Sequence, residues 1–179
     1  MTLGTLKTAL NKDDDITLRR PRAEDGAAIW RLIASCAPLD ENSMYCNLLQ
    51  CDHFADTCVV AERAGEVVGW VSGYVLPDDS ETLFIWQVAV SDAAKGKGLA
   101  KRLLAEVLER DACDGVTALK TTITADNEAS WGLFTSFARR QGASLDREPY
   151  FRREAHFDGE HATEHMVTIS FAEAARRAA

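Results

Sequence analysis

Residues 88–104 read VAVSDAAKGKGLAKRLL. An apolar run passes into a turn holding Gly96 and Gly98, and the turn opens a helix. Leu99, Leu103, Leu104, Val107 and Leu108 recur there at helical spacing, so one face is apolar. A strand that feeds a helix directly must pack it on the sheet, which points to a mixed α/β fold. The two glycines let a ligand approach the backbone with no Cβ in the way. The first N–H groups of the helix lack internal partners, and the helix dipole adds positive potential. Together they make an anion cradle suited to a pyrophosphate, with Lys95, Lys97 and Lys101 adding charge. A Walker loop, GxxxxGK[ST], is absent. A dinucleotide fingerprint would need glycine where Lys101 stands.

The rest of the chain supplies the layers this segment requires. Residues 16–20 read as a strand, and 21–36 as a helix with Ile29, Leu32, Ile33 and Cys36 on one face. Pro38 is expected to end that helix, and 43–51 can form another. Residues 56–77 hold two β-branched runs around RAGE, a hairpin signal. A strand over 81–92, a helix over 98–113 and a strand over 116–124 follow. A helix over 127–143, capped by an Asn or Asp, and two closing strands complete the order β-α-α-β-β-β-α-β-α-β-β. This order implies one mixed sheet in one domain over 16–172, with a flexible arm over 1–15 and a tail over 173–179.

Composition narrows the partners. A net charge of −8 argues against nucleic acid, which needs a basic face. No apolar run approaches the roughly 20 residues of a membrane span. The first fifteen residues lack the basic and apolar regions of a secretory signal, so a cytoplasmic location is expected. The five cysteines form no CxxC pair and are expected as buried free thiols. Cys46, Cys51, His53 and Cys58 fit no standard zinc spacing, and no metal is expected.

The segment KGKGLA resembles the Q/R-x-x-G-x-G/A loop of the GCN5-related N-acetyltransferases, with Lys95 in place of the usual Gln or Arg. TADNEASWGLFTSF, at 124–137, is similar to the next family segment, in which an Asn caps a helix and approaches coenzyme A; Asn127 takes that place. The resemblance implies a splayed sheet that binds acetyl-CoA as cosubstrate. The backbone of Val88, Ala89 and Val90 would hold the pantetheine and polarise the thioester. Lys95, Gly96, Lys97, Gly98, Leu99, Ala100 and Lys101 would cradle the pyrophosphate, with Asn127 and Trp131 nearby. One departure stands out. Many members carry a tyrosine at the position of Phe134, where it can protonate the leaving thiolate, and phenylalanine has no such proton.

Three further segments, 38–62, 85–90 and 161–166, resemble the family members that acetylate L-2,4-diaminobutyrate in ectoine biosynthesis. That resemblance implies transfer to the γ-amine, giving N4-acetyl-L-2,4-diaminobutyrate, a role in osmoprotection, and a homodimer. The chemistry is compatible. An alkyl ammonium cannot attack until it is held and deprotonated, and carboxylates suit both tasks. Asp40 and Glu164 are the candidates for gripping the ammonium groups and for catalysis. His161 is a possible proton acceptor and Asn42 a polar neighbour. Tyr45, if it shares a pocket with Asp40, could donate to the thiolate. Trp86 could stack on the aliphatic chain or face a cationic amine. No cysteine has a convincing base beside it, so direct attack without an acyl-enzyme is expected. Two alternatives stay open: acetylation of another small amine or antibiotic, and a non-catalytic acyl-CoA sensor, which Phe134 favours.

Overall fold

The computed structural model describes residues 15–172. The expected tail and all of the expected arm but Asp15 lie outside them. One seven-stranded sheet has the order β1 (Ile16–Arg19), β2 (Val59–Arg63), β3 (Glu66–Leu76), β4 (Asp79–Val90), β5 (Ala118–Thr124), β7 (Glu164–Ser170), β6 (Ser144–Phe151). Every neighbouring pair is antiparallel except β4 and β5. Helices α1 (Gly26–Ala34) and α2 (Met44–His53) lie between β1 and β2 in sequence. α3 (Leu99–Leu108) joins β4 to β5, α4 (Glu128–Arg140) joins β5 to β6, and a short α5 (Arg153–His156) precedes β7.

Both faces of the sheet are covered. Val59 and Ala61 join the apolar core that includes α3 and α4, while Val60 between them joins a second core with α1. This alternation is the pleat of a strand buried on both sides. The expected stripes are the buried ones: Ile29, Leu32, Ile33 and Cys36 around α1, and Leu99, Leu103, Leu104 and Val107 on α3. The hairpin turn falls at Ala64 and Gly65, whose φ of 52° and 82° suit a tight β-turn.

Element ends differ in places. Helix α1 stops at Ala34, ahead of Pro38. Helix α3 stops at Leu108 rather than 113. On a continued helix Cys113 would point away from the stripe of Val107. A 3-10 turn over Asp111–Cys113 instead carries Cys113 into the core. Helix α5 falls between the two closing strands, where no helix is expected.

Two features of β4 shape the site. First, β4 and β5 pair only through Thr82–Phe84 and Ala118–Lys120. Beyond these residues the parallel strands diverge, opening a wedge toward their carboxyl ends. Second, Ser72 faces Gln87 and Gly73 faces Ile85, so Trp86 is an extra residue on β4. Such a bulge inverts the side-chain alternation. Leu83 and Ile85 belong to the core under α3, as do Val88 and Val90, whereas Ala89 belongs to the core with α1.

Candidate active site

The wedge forms a cavity of about 500 Å³, within the usual range for a small-molecule site. Ile85, Trp86, Gln87 and Val88 line one wall and Thr121–Thr124 the other. Asn127, Ser130 and Phe134 of the α4 segment close one side. The loop after α1 contributes Asp40 and Asn42, and the segment before β7 contributes Glu160, His161 and Glu164. Asp126 adds a fourth carboxylate. Among the described residues no lysine, arginine or cysteine lines this cavity. It is therefore an acidic pocket, suited to a cation with more than one amine.

Glu164 opens β7, opposite Thr124 of β5. Its side chain is 17 % exposed. Its buried Oε2 has no hydrogen-bond partner among the described residues. Burial raises its carboxyl above the ordinary value; His161 and Thr122 oppose the rise and Asp40 adds to it. A carboxylate so placed is a better proton acceptor than one in water. His161 Nε2 lies 3.8 Å from Asp40 Oδ2 and 4.0 Å from Glu164 Oε1. Its Nδ1 donates to the Ala162 carbonyl at 2.8 Å, and its Nε2 faces the carboxylates. The ring of Phe157, carried by the unexpected α5 turn, packs 4.7 Å from the His161 ring.

The loop after β4 supplies the anion cradle. Gly96 and Gly98 have φ of 78° and 75°, a region that other residues rarely adopt. A Cβ built on either would meet no atom within 4 Å, so the backbone here is open to a ligand. Gly98 caps α3, leaving the helix N-terminus free to face an anion. Lys95 pairs with Asp92 at 2.7 Å, and Lys101 Nζ donates to Ser136 Oγ at 3.1 Å, tying α3 to α4. The loop follows β4 at the end where the wedge opens. These residues fit a pyrophosphate, and the wedge fits a slender arm leading from it to a thioester. Asn127 caps α4, its Oδ1 accepting from Ser130 N at 3.0 Å.

Asp40, Asn42, Trp86, Val88, Asn127, His161 and Glu164 are thus brought to one cavity. Ala89 and Val90 do not line it. Trp131 does not either; its Nε1 donates to the Thr124 carbonyl at 3.0 Å, and Arg147 lies 5.5 Å from its ring. Tyr45 is 69 % exposed and outside the cavity, so it does not share a pocket with Asp40 in this chain. The reason is helical phase: α2 buries Asn47, Gln50 and Cys51, and Tyr45 stands on the opposite side. The hydroxyls that do line the cavity belong to Thr121, Thr122, Thr124 and Ser130. Gln87, Asp126 and Glu160 were not among the expected residues. A glutamine within the apolar run IWQVAV was the available signal for the first.

The profile of the acetyltransferase (GNAT) family matches residues 27–138. The chain is 49 % identical over 151 residues to an L-2,4-diaminobutyric acid acetyltransferase of Vibrio cholerae, covering 84 % of this chain and 87 % of that protein. It is 47 % identical over 154 residues to the enzyme of the same name from Methylotuvimicrobium alcaliphilum, covering 86 % and 90 %. Its fold is similar to that of diaminobutyrate acetyltransferase EctA from Paenibacillus lautus, solved with L-2,4-diaminobutyric acid and coenzyme A. The TM-score is 0.83 at 38 % identity, covering 87 % of this chain and 94 % of that one.

Proposed function

The chain belongs to the acetyltransferase (GNAT) family, and from that premise we propose that it transfers acetyl from acetyl-CoA to the γ-amine of L-2,4-diaminobutyrate. The product is N4-acetyl-L-2,4-diaminobutyrate, and the step belongs to ectoine biosynthesis. The observation that carries this reading is the acidic cavity in the wedge between β4 and β5, next to a cradle built for a pyrophosphate. The relatives named above support the substrate.

Acetyl-CoA, when bound, supplies an activated acyl carbon. The protein supplies the rest. Gly96, Gly98 and the start of α3 hold the phosphates, while the unpaired edge of β4 near Val88 orients the acyl end. Asp40 grips one ammonium of the substrate. Glu164 accepts the proton that the γ-ammonium must lose before its nitrogen can attack, and His161 stands beside both carboxylates to share the charge. Trp86, 46 % exposed at the bulge, covers the aliphatic chain. The sulfur leaves protonated by water or by a hydroxyl lining the wedge, since Phe134 has no proton to give. Attack is direct. Burial pushes the Cys51 and Cys58 thiols up to about 12, so neither is a thiolate at neutral pH.

The enzyme works in the cytoplasm as a homodimer in this reading. None of the five cysteines is in a disulfide among the described residues, which suits a reducing compartment. The outermost strand β6 exposes Tyr150 and Phe151, a surface a second copy can cover.

The test is a thiol-release assay with acetyl-CoA and L-2,4-diaminobutyrate, with the product resolved by NMR. Acetyl on the γ-nitrogen is expected. Acetyl on the α-nitrogen, or cofactor binding without release of thiol, would contradict the proposal.

A further inference from the structure

We infer that Gln87 is a positioning residue for the amine site, clamping the loop that carries Asp40 and so setting how tightly the substrate is held. The inference rests on the reading of Asp40 as the partner of a substrate ammonium. Residues 40–43 have no helix or strand to fix them. The Asp40 side chain itself is largely exposed, and its approach to His161 is long, at 3.8 Å. The firm contacts come from β4. Gln87 Nε2 donates to the Asp40 carbonyl at 2.7 Å, and Gln87 Oε1 accepts from Asn42 Nδ2 at 2.9 Å. One side-chain amide thus holds the chain on the residue of interest and again two residues later. The primary amide of Gln87 carries the donor and the acceptor that the two contacts need in one plane. The opposite amide orientation would set two oxygens against each other at Asp40, so the network fixes the assignment.

Gln87 reaches this loop because of the bulge at Trp86. In a regular strand with no bulge, Gln87, two residues after Ile85, would share its face and point into the apolar core under α3. With it, Gln87 turns to the face of Ala89, which packs with α1 and Leu39. Only 6 % of Gln87 is exposed, so the clamp is shielded from competing water. The Asn42 amide is also engaged here, which makes Asn42 the outer half of the clamp.

Gln87→Leu, Asp40→Asn and the double variant would be compared by steady-state kinetics and thermal unfolding. Losing the clamp should raise the KM for L-2,4-diaminobutyrate about tenfold, with kcat changed by less than about threefold. The KM for acetyl-CoA and the Tm should stay near the parent values. Asp40→Asn should raise the diaminobutyrate KM at least as much, and the double variant should be no worse than Asp40→Asn alone. Asn42→Ala, which leaves the buried glutamine in place, should give a smaller rise in the same KM. A Gln87→Leu enzyme with unchanged diaminobutyrate KM, beside a weakened Asp40→Asn enzyme, would overturn the inference alone. Additive effects would do the same, because Gln87 would then act on substrate directly. So would a joint loss of Tm and both KM values in Gln87→Leu with no effect in Asn42→Ala, the mark of a merely structural residue. An unchanged KM in Asp40→Asn would remove the reading of Asp40 and the inference with it.

Discussion

At the scale of the residue, Glu164 is the most exposed to test. As the proposed base, its carboxyl must be ionised to accept a proton, and burial raises its pKa. Activity should therefore climb with pH through a value above that of a carboxylate in water. Glu164→Gln should lower kcat by roughly 10²- to 10⁴-fold and remove that acidic limb, with acetyl-CoA affinity kept. The sign for stability is opposite. A folded-state pKa raised above the unfolded one means the folded protein binds more protons, so this group's contribution falls as pH rises between the two values. Glu164→Gln should accordingly unfold at the same or a slightly higher temperature than the parent at neutral pH; a clear loss of Tm would mean the carboxylate is needed structurally. Tyr45→Phe should leave kcat within about twofold, because its ring lies outside the cavity. A large loss of kcat would return Tyr45 to the catalytic group. Asp40, His161 and Glu164 could be named from sequence because segment likeness singled them out. Their meeting could not, since it depends on how the loop after α1 crosses the end of β7. Tyr45 misled because sequence distance from Asp40 says nothing about which side of α2 faces inward. Gln87 was visible as a polar residue within IWQVAV, but its direction was not, because that depends on a bulge the pattern does not mark.

At the scale of the element, the glycine turn and helix α3 were the most legible part of the chain. Their spacing states both the apolar stripe and the open backbone, and both are present. Gly98→Val puts a branched side chain at a φ of 75° and into the open space beside the turn, where the phosphates are proposed to sit. The KM for acetyl-CoA should rise more than about tenfold, while the Asp40 and Glu164 side of the cavity stays intact. Titration of acetyl-CoA by calorimetry would show it, and unchanged affinity would remove the turn from the cofactor site. The end of α3 was less legible. Helix formers continue past Leu108, and burial of Cys113 outweighs their propensity. The splay of β4 from β5 has no local signal at all. It came from family likeness and is visible in the three residues at which the strands pair.

At the scale of the molecule, the order of elements could be read but the order of strands could not. Two closing strands were evident, yet either could have lain beside β5. β7 takes the inner place and buries Met166, Val167 and Ile169. β6, with Asp146, Arg147, Glu148 and Pro149, takes the edge. Charge and proline suit an edge strand, which has no second ladder to complete. That choice sets Glu164 at the mouth of the wedge, so it joins topology to function. The size of the wedge and its four carboxylates suit a short diamine, proposed to be acetylated at its far nitrogen. Each added methylene should misplace that nitrogen relative to Glu164. The direct measurement is kcat/KM with acetyl-CoA for L-2,4-diaminobutyrate, ornithine and lysine. A fall of about tenfold or more is expected at the first added methylene and a further fall at the second; equal values for the three amines, or turnover of none, would overturn the substrate assignment.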